Sequence, residues 1–179
     1  MENCRDNELV RLSISGSTDA FEHLANRHYQ MVYRVSYKWC GVKEDAEEIA
    51  QDVFVKLAQQ IDRFDGRASF KTWLYRITLN TANDFLRKAA VKRKYESAFA
   101  FDETCHNSET DPDARLAALR LFAEIDKLPE KQKSAVLLVF GEGLSHKEAA
   151  RVLKCRETTI SWRIFQARKK LRRSGKFES

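Results

Sequence analysis

Glycine and proline are scarce in this sequence, with six glycines and two prolines among 179 residues. So few turn-forming residues exclude a collagen-like or linker-like chain, and they argue against an all-β protein, which needs a turn about every ten residues. Hydrophobic residues nevertheless make up 43% of the chain, which is enough for packed cores. We therefore expect an all-α protein with one ordinary domain or two small ones.

Long hydrophobic runs are also missing. The longest, residues 135–140, has six residues, whereas a helix that spans a bilayer needs about 20. No hydrophobic segment follows Met1, so the sequence predicts neither a signal peptide nor a membrane span. We expect a cytoplasmic protein.

The sequence has few cysteines, and they are far apart: Cys4, Cys40, Cys105 and Cys155. We expect free thiols in a reducing compartment. Cys105 and His106 are adjacent and keep a metal site open as an alternative, but structural zinc sites use two spaced pairs of ligands. No Ser/His/Asp set, paired metal ligands or glycine-rich phosphate loop occurs at a useful spacing. The sequence therefore predicts no catalytic residues, no metal and no cofactor, and an all-helical enzyme is the weakest alternative.

Charge is distributed unevenly along the chain. Residues 1–95 carry a net charge of +3, residues 96–126 of −6, and residues 127–179 of +9. Between residues 151 and 176 there are ten basic residues and a single acid, Glu157. A basic terminal module behind an acidic segment indicates a polyanionic partner, although a solvated basic helix face is the simpler alternative.

The first half of the chain has helical periodicity in three successive segments. The first runs from Phe21 to Trp39, with Asp19 and Glu22 placed as a capping-box pair at its start and Gly41 at its end. The second carries one apolar stripe, from which Val55 departs: Ala46, Ile49, Ala50, Val53, Phe54, Leu57, Ala58 and Ile61. Residues 62–69 break the pattern and predict a loop.

The third helix has two distinct faces. Its predicted core positions are Phe70, Trp73, Leu74, Ile77, Thr81 and Phe85. A polar stripe with helical spacing holds Arg76, Asn80, Asn83 and Arg87. Residues 96–113 have no usable period and many acids, which predicts a flexible acidic linker between a domain at 1–95 and a domain at 114–179.

The second half begins with a predicted helix that includes Phe122, Ala123 and Ile125. Pro129 is placed to open the next helix, residues 135–140 form its buried part, and glycines end it.

A helix-turn-helix pattern follows. Ser145 and Glu148 form a capping box in front of a short helix, and residues 155–157 make a tight link. A second, basic helix then runs from Thr158 to Arg173, with Ile160, Ile164, Ala167 and Leu171 turned inward. Two short helices joined by such a turn predict a DNA-binding module, with a bare helical hairpin as the alternative.

This second helix would lie in a major groove. The side chains near its start that would reach base edges are Thr158, Thr159, Ser161, Trp162 and Arg163. Arg163 can contact guanine with two hydrogen bonds. The later basic residues would mostly meet phosphates: Arg168, Lys169, Lys170, Arg172 and Arg173.

Aromatic and basic residues alternate at the start of the third helix. The aromatic residues are Phe64, Phe70, Trp73 and Tyr75, and the basic residues are Arg63, Arg67, Lys71 and Arg76. Aromatic faces and cations together suit unstacked bases. Phe70 and Trp73 lie on the apolar stripe and are expected in the core, whereas Tyr75, Lys71, Arg76 and Asn80 are expected to face solvent.

Several of these segments resemble the extracytoplasmic-function sigma factors. Residues 45–54 (DAEEIAQDVF), 68–77 (ASFKTWLYRI) and 80–82 (NTA) look like the second conserved region of that family. Residues 128–132 (LPEKQ) and 142–145 (EGLS), followed by 148–150 (EAA), look like its fourth region. The order and spacing match over nearly the whole chain, and the likeness is closest to the RpoE-like members.

The resemblance implies two helical domains. The first would bind the β′ clamp helices of core RNA polymerase and melt the minus-ten element, and the second would bind the β flap and read the minus-thirty-five element. An anti-sigma factor would control the protein and can hold such a factor at the inner membrane. A stand-alone helix-turn-helix regulator is the alternative function.

The resemblance also assigns residues to each surface. The polymerase-binding residues are Asp45, Glu48, Gln51, Asp52 and Val55. The minus-ten residues are Phe64, Lys71, Tyr75, Arg76, Asn80, Asn83 and Arg87, with the pocket for a flipped base within residues 64–72. The minus-thirty-five residues are Arg156, Thr158, Thr159, Ser161, Trp162, Arg163, Phe165, Arg168 and Lys169.

The recognition helix departs from the family pattern. Ser161 stands where a basic residue is usual, and Trp162 where a small one is usual, so we do not expect the family's common minus-thirty-five sequence. Trp162 would favour a thymine methyl group or a sugar. Packing on the polymerase flap or on an anti-sigma factor is its alternative role.

Overall fold

Helices account for the regular structure in the computed structural model, which describes residues 4–95 and 121–173. Within these ranges no strand is present, so the all-α expectation is confirmed. The chain divides into two compact units, residues 1–105 and 106–179. The predicted linker at 96–113 lies outside the described residues.

The first unit contains α1 (Asp6–Ile14), α2 (Thr18–Cys40), α3 (Lys43–Gln60) and α4 (Phe70–Tyr95). A short 3-10 turn, Ile61–Arg63, follows α3. The long helix α2 contacts α1, α3 and α4, and α3 also contacts α4. The core of this unit therefore forms around α2.

Helix α2 begins differently from the prediction. Its N-cap is Ser17, whose hydroxyl accepts a hydrogen bond from the backbone N–H of Ala20, so the Asp19 and Glu22 capping pair is wrong. Asp19 lies within the first turn, so the residue that precedes the helix, Ser17, caps its free N–H groups. Gly41 ends the helix as predicted, in a left-handed conformation with φ of 77° that suits a residue without Cβ.

The predicted apolar stripe of α3 is largely confirmed. Ala46, Ile49, Ala50, Val53 and Leu57 are buried. Phe54 is only half-buried and Ala58 is exposed, because these two positions lie at the edge of the stripe.

Helix α4 has a wider buried face than predicted. Phe70, Leu74, Ile77 and Thr81 are buried as expected, whereas Trp73 and Phe85 are half-buried. Four further residues are also buried: Tyr75, Thr78, Leu79 and Ala82. Because α4 contacts both α2 and α3, two partners cover a broader arc than a single stripe.

The second unit contains helical residues 121–126, here named α5, then α6 (Glu130–Val136), α7 (His146–Val152) and α8 (Glu157–Arg173). Pro129 is the N-cap of α6, one position before the predicted first turn. All three residues named for the predicted helix, Phe122, Ala123 and Ile125, are helical, and of them only Ile125 is buried.

A π-helical segment, Leu137–Gly141, continues from α6. Its wider turn shifts the side-chain register, so that residues 135–138 are buried while Phe140 is exposed. The prediction that residues 135–140 are buried throughout is therefore wrong at its end.

The α7–α8 pair forms the predicted helix-turn-helix. Ser145 and Glu148 make a complete capping box at the start of α7. Lys154, with φ of 48°, reverses the chain between the helices. Ile160, Ile164 and Ala167 of α8 are buried, and α8 contacts α6 and α7.

Candidate nucleic-acid interfaces

The 64–69 loop, between the 3-10 turn and α4, is held by its own polar groups. The Asp65 carboxylate accepts a hydrogen bond from the backbone N–H of Arg67 (3.0 Å). Gly66 has φ of 70°, a conformation that favours glycine. The Ser69 hydroxyl accepts from the backbone N–H of Thr72 (3.2 Å) and caps the first turn of α4. These contacts give the loop a defined conformation.

An aromatic cluster holds the two ends of this loop together. The Phe64 ring lies 5.8 Å from the Phe70 ring in an edge-on arrangement and 5.4 Å from the Trp73 ring, measured between centroids. Phe70 and Trp73 are 5.9 Å apart. Such pairs add stability beyond the area that they bury. Phe64 is half-buried in this cluster. This predicted minus-ten residue therefore also stabilises the loop.

Tyr75 does not lie on the surface. Its side chain is 2% exposed, which corrects the expectation that it faces solvent and stacks on a base. The broad buried face of α4 takes Tyr75 into the core, and the Lys71 ammonium lies 6.0 Å from its ring centroid. Lys71 itself remains exposed.

The polar stripe of α4 is divided between surface and packing roles. Asn80 is exposed, and Arg76 is half-buried. The Asn83 side-chain oxygen accepts a hydrogen bond from the Trp39 indole N–H (2.6 Å) and ties α4 to α2. Arg87 is exposed and lies 3.5 Å from the Asp84 carboxylate. Asn80 is therefore the amide of this stripe that is turned to solvent.

The predicted polymerase-binding residues share the side of α3 that faces away from its core. Glu48, Gln51 and Asp52 are exposed, and Asp45 is half-buried. Val55 is 56% exposed, although it is apolar. These residues form an acidic strip along α3 that ends at the apolar Val55.

His28 is a buried titratable residue near the aromatic cluster. Its Nε2 lies 3.0 Å from the Asp6 carboxylate, and Arg27 donates to the other oxygen of Asp6 at 2.8 Å. Burial lowers the pKa of His28 below the ordinary imidazole value of 6.5, because the attraction of Asp6 does not offset the loss of hydration. We expect His28 to be neutral at neutral pH.

The outer face of α8 is aromatic and basic. Trp162 is 58% exposed and Phe165 is 62% exposed, one turn apart on the helix. The other predicted contact residues that are exposed are Arg156, Thr158, Ser161, Arg168 and Lys169, and Thr159 is half-buried. Exposed aromatic residues beside cations fit contact with DNA sugars and thymine methyl groups.

Two predicted base-reading residues have partners within the protein. The Ser161 hydroxyl lies 2.9 Å from Nδ1 of His146 and 3.3 Å from the carbonyl of Glu157. Arg163 is half-buried, with one guanidinium nitrogen 3.8 Å from the Cys155 sulfur. Ser161 thus links α7 to α8, which reduces its capacity for base contacts.

The π-helical segment also reaches the outer face of α8. The Arg168 guanidinium lies 5.2 Å from the centroid of the Phe140 ring. This geometry is that of a cation–π contact, which orients Arg168.

Sequence reasoning missed several residues that shape these surfaces. Asp6, His28 and His146 act through single side-chain contacts between distant positions, and no periodic pattern reveals such contacts. Trp39 marks the end of the first predicted helix, but its indole N–H bond to Asn83 was not predicted. Phe140 was misplaced because the π-helical register cannot be read from composition.

No cluster of metal-ligating side chains occurs in the part of the chain that the structure describes. Cys4, Cys40 and Cys155 are free thiols. Cys105 and His106 lie outside the described residues. No helix in the described ranges is both long and apolar enough to cross a membrane.

Comparison with protein families gives two matches. Residues 24–91 match the model described as Sigma-70 region 2. Residues 118–171 match the model described as Sigma-70, region 4. Together these ranges include α3, most of α4 and all but the end of the helix-turn-helix.

Curated relatives match the chain over nearly its full length. The ECF RNA polymerase sigma-E factor of Haemophilus influenzae is 31% identical over 177 residues, which cover 93% of each chain. The ECF RNA polymerase sigma factor SigW of Bacillus subtilis is 30% identical over 168 residues, which cover 88% of this chain and 90% of SigW.

Two solved structures have a similar fold. CnrH, solved in complex with the cytosolic domain of CnrY, has a TM-score of 0.70 and 27% identity, and the match covers 97% of this chain and 99% of CnrH. The sigma factor RpoE of Bartonella quintana, solved with the anti-sigma factor NepR, has a TM-score of 0.69. At 21% identity, with 89% and 98% of the two chains covered, it supports the fold alone.

Proposed function

The chain belongs to the extracytoplasmic-function sigma factors and is therefore an alternative sigma factor. We propose that its two units carry different steps of transcription initiation. Residues 1–95 bind core RNA polymerase and open the minus-ten element, and residues 114–179 read the minus-thirty-five element. Sigma factors are initiation subunits and not enzymes. The observation that carries this division is the pairing of a loop-bearing polar surface in the first unit with a helix-turn-helix in the second.

The polymerase-binding surface is the acidic strip on α3. Glu48, Gln51 and Asp52 supply acceptors for basic residues of the β′ clamp helices, and Val55 supplies an apolar anchor. An exposed apolar residue that is surrounded by polar ones supports a partner contact. Loss of Val55 should weaken association with polymerase without a loss of stability.

The minus-ten surface combines the 64–69 loop with the exposed polar residues of α4. Asn80 offers an amide that matches the hydrogen-bonding edge of a flipped base. Lys71 and Arg76 neutralise nearby phosphates. The aromatic cluster holds the loop in shape beneath these groups. We infer that base recognition here is by polar side chains, since Tyr75 lies in the core.

The minus-thirty-five surface is the outer face of α8. Trp162 and Phe165 present apolar area to the groove, and Arg168 and Lys169 meet phosphates. Because Ser161 is bonded to His146, the two aromatic residues take a larger part in sequence preference.

An anti-sigma factor would control this protein in the cytoplasm. The support is the fold shared with CnrH, which was solved with the cytosolic domain of CnrY. Such a partner would cover the acidic strip on α3 or the aromatic face of α8, and a membrane-bound partner would hold the factor at the inner membrane.

Run-off transcription with purified core RNA polymerase tests the proposed function. With a library of promoter sequences, the complete chain should yield transcripts of defined length that core polymerase alone does not produce. Promoter-specific binding by the chain without polymerase, and no transcript with it, would instead indicate a stand-alone regulator.

A matched pair of charge substitutions tests the acidic strip. Val55→Glu should lower affinity for core polymerase about tenfold or more, as expected for loss of an interface anchor. Gln30→Glu adds the same charge at an exposed position on α2 and should leave affinity unchanged. Equal affinities of both variants would contradict the assignment of Val55.

A further inference from the structure

One part-buried polar contact of the first unit connects its N-terminal helix to the start of α4. His28 lies on α2, and its ring centroid is 5.2 Å from that of Phe70, the first residue of α4. Asp6, the first residue of α1, lies 3.0 Å from His28 Nε2. A chain of contacts therefore runs from α1 through α2 to the aromatic cluster.

The chemistry of this contact fixes the orientation of the imidazole ring. A carboxylate only accepts hydrogen bonds, so the bond to Asp6 requires a proton on Nε2. Arg27 balances the charge of Asp6, at 2.8 Å, so His28 need not be protonated to keep the bond. A neutral ring in a set orientation then packs against Phe70.

Phe70 links the oriented His28 ring to the 64–69 loop. Phe70 is 1% exposed and its ring contacts that of Phe64, the first residue of the loop, while Ser69 caps the helix that Phe70 begins. Helix α1 also contacts the 3-10 turn that leads into Phe64. Both ends of the loop are thus supported by elements that Asp6 and His28 hold together.

We propose that His28, held by Asp6, is a positioning residue for promoter opening: its ring fixes Phe70 and thereby the aromatic cluster from which the 64–69 loop emerges. This inference rests on the proposed function of the loop in the minus-ten contact. His28 touches no DNA itself. Its loss changes the population of loop conformations that are ready to receive a flipped base.

Permanganate reactivity of unpaired minus-ten thymines measures this effect in complete holoenzyme. The promoter is one selected by the wild-type holoenzyme, and all variants are compared below their unfolding temperatures. His28→Ala and Asp6→Ala should each lower opening about fivefold or more, the equivalent of one hydrogen bond. Affinity for core polymerase should change less than about twofold, because the acidic strip on α3 is untouched.

Two further variants separate positioning from general destabilisation. Asp6→Asn keeps an oxygen that accepts from His28 and should restore most of the opening that Asp6→Ala loses. Val35→Ala truncates a buried side chain two helical turns after His28 on the same helix and should lower thermal stability without the loss of opening.

Three results would overturn the inference. Wild-type opening in His28→Ala would show that the ring positions nothing. Val35→Ala could lose as much opening as His28→Ala at the same loss of stability. That result would show that the loss of opening in His28→Ala comes from destabilisation of the fold and not from positioning. Absence of opening by the wild-type holoenzyme would overturn the proposed function and the inference with it, whereas the first two results leave the proposed function intact.

Discussion

The two units place their aromatic side chains in opposite ways. In the first unit, Phe64, Phe70 and Trp73 pack on one another behind the 64–69 loop. In the second unit, Trp162 and Phe165 project from the outer face of α8. Both sets lie among basic residues in the sequence, so that neighbourhood alone does not distinguish a scaffold from a contact surface.

The width of the buried face differs between the two helices. In α4 the buried residues include Tyr75 and Leu79 beside the predicted stripe. In α8 they are confined to one stripe, Ile160, Ile164 and Ala167. The surface of the first unit therefore exposes polar side chains above packed aromatic rings. The surface of the second unit exposes the aromatic rings themselves.

Truncation of an aromatic residue in each unit should have the largest and most unequal effects. Phe70→Ala should lower the free energy of unfolding of the first unit by about 3–5 kcal/mol, because it removes a buried ring. Phe165→Ala should change stability by less than about 0.5 kcal/mol, because its ring is exposed. Urea unfolding of the full chain measures both, and similar losses would break the comparison.

Two asparagines of α4 test the same difference between packing residues and exposed contact residues. Asn80→Ala should weaken minus-ten opening by about 1–3 kcal/mol at one base contact, with little change in stability. Asn83→Ala should instead destabilise the fold by about 1–3 kcal/mol, because the Trp39 indole N–H loses its acceptor. Permanganate reactivity and thermal unfolding, measured on both variants, separate the two roles. An Asn80→Ala protein that simply unfolds would contradict the surface assignment.

A basic residue of α8 should act without regard to sequence. Lys169→Ala should weaken binding evenly across promoters and reduce the salt dependence of binding by about one charge, since its expected partner is a phosphate. Lys131→Ala, at an exposed position of α6, provides the control. Holoenzyme binding across a salt series checks this, and a sequence-dependent loss would indicate that Lys169 reads bases.

The smallest expected effect is the pH dependence that His28 contributes. The pKa of His28 is lowered below 6.5 in the folded protein, so the unfolded chain binds the proton more readily. This contribution to stability is therefore complete above the unfolded pKa, near 6.5, and declines as the pH falls from there towards the folded pKa. His28→Gln should remove the decline, as measured by thermal unfolding between about pH 7.5 and 5. An unchanged pH profile would show that His28 does not titrate as proposed.

Much of the fold follows from periodicity. Helices α2, α3 and α4 and the helix-turn-helix carry strong 3.6-residue patterns, and the Ser145 capping box and the Gly41 terminus have local signatures. Helix α1 was missed because it is short and buries only Leu9 and Val10. Its packing depends on α2, which a local pattern does not show.

The candidate site was only partly predictable from the sequence. The exposure of Asn80, Val55 and Trp162 follows from positions off the apolar stripes. The burial of Tyr75 depends on how many helices pack on α4, and the bonds of Asn83 and Ser161 depend on which distant side chain arrives opposite them. Such tertiary contacts override the helical pattern.

The most direct test of the account is one selection in which both promoter elements are randomised together. Wild-type, Asn80→Ala and Trp162→Ser holoenzymes would each select sequences that support transcription. We predict that Asn80→Ala alters the preferred minus-ten sequence alone and Trp162→Ser alters the preferred minus-thirty-five sequence alone. Identical minus-thirty-five sequences for wild-type and Trp162→Ser, or a minus-thirty-five change in Asn80→Ala, would contradict the division of the two surfaces.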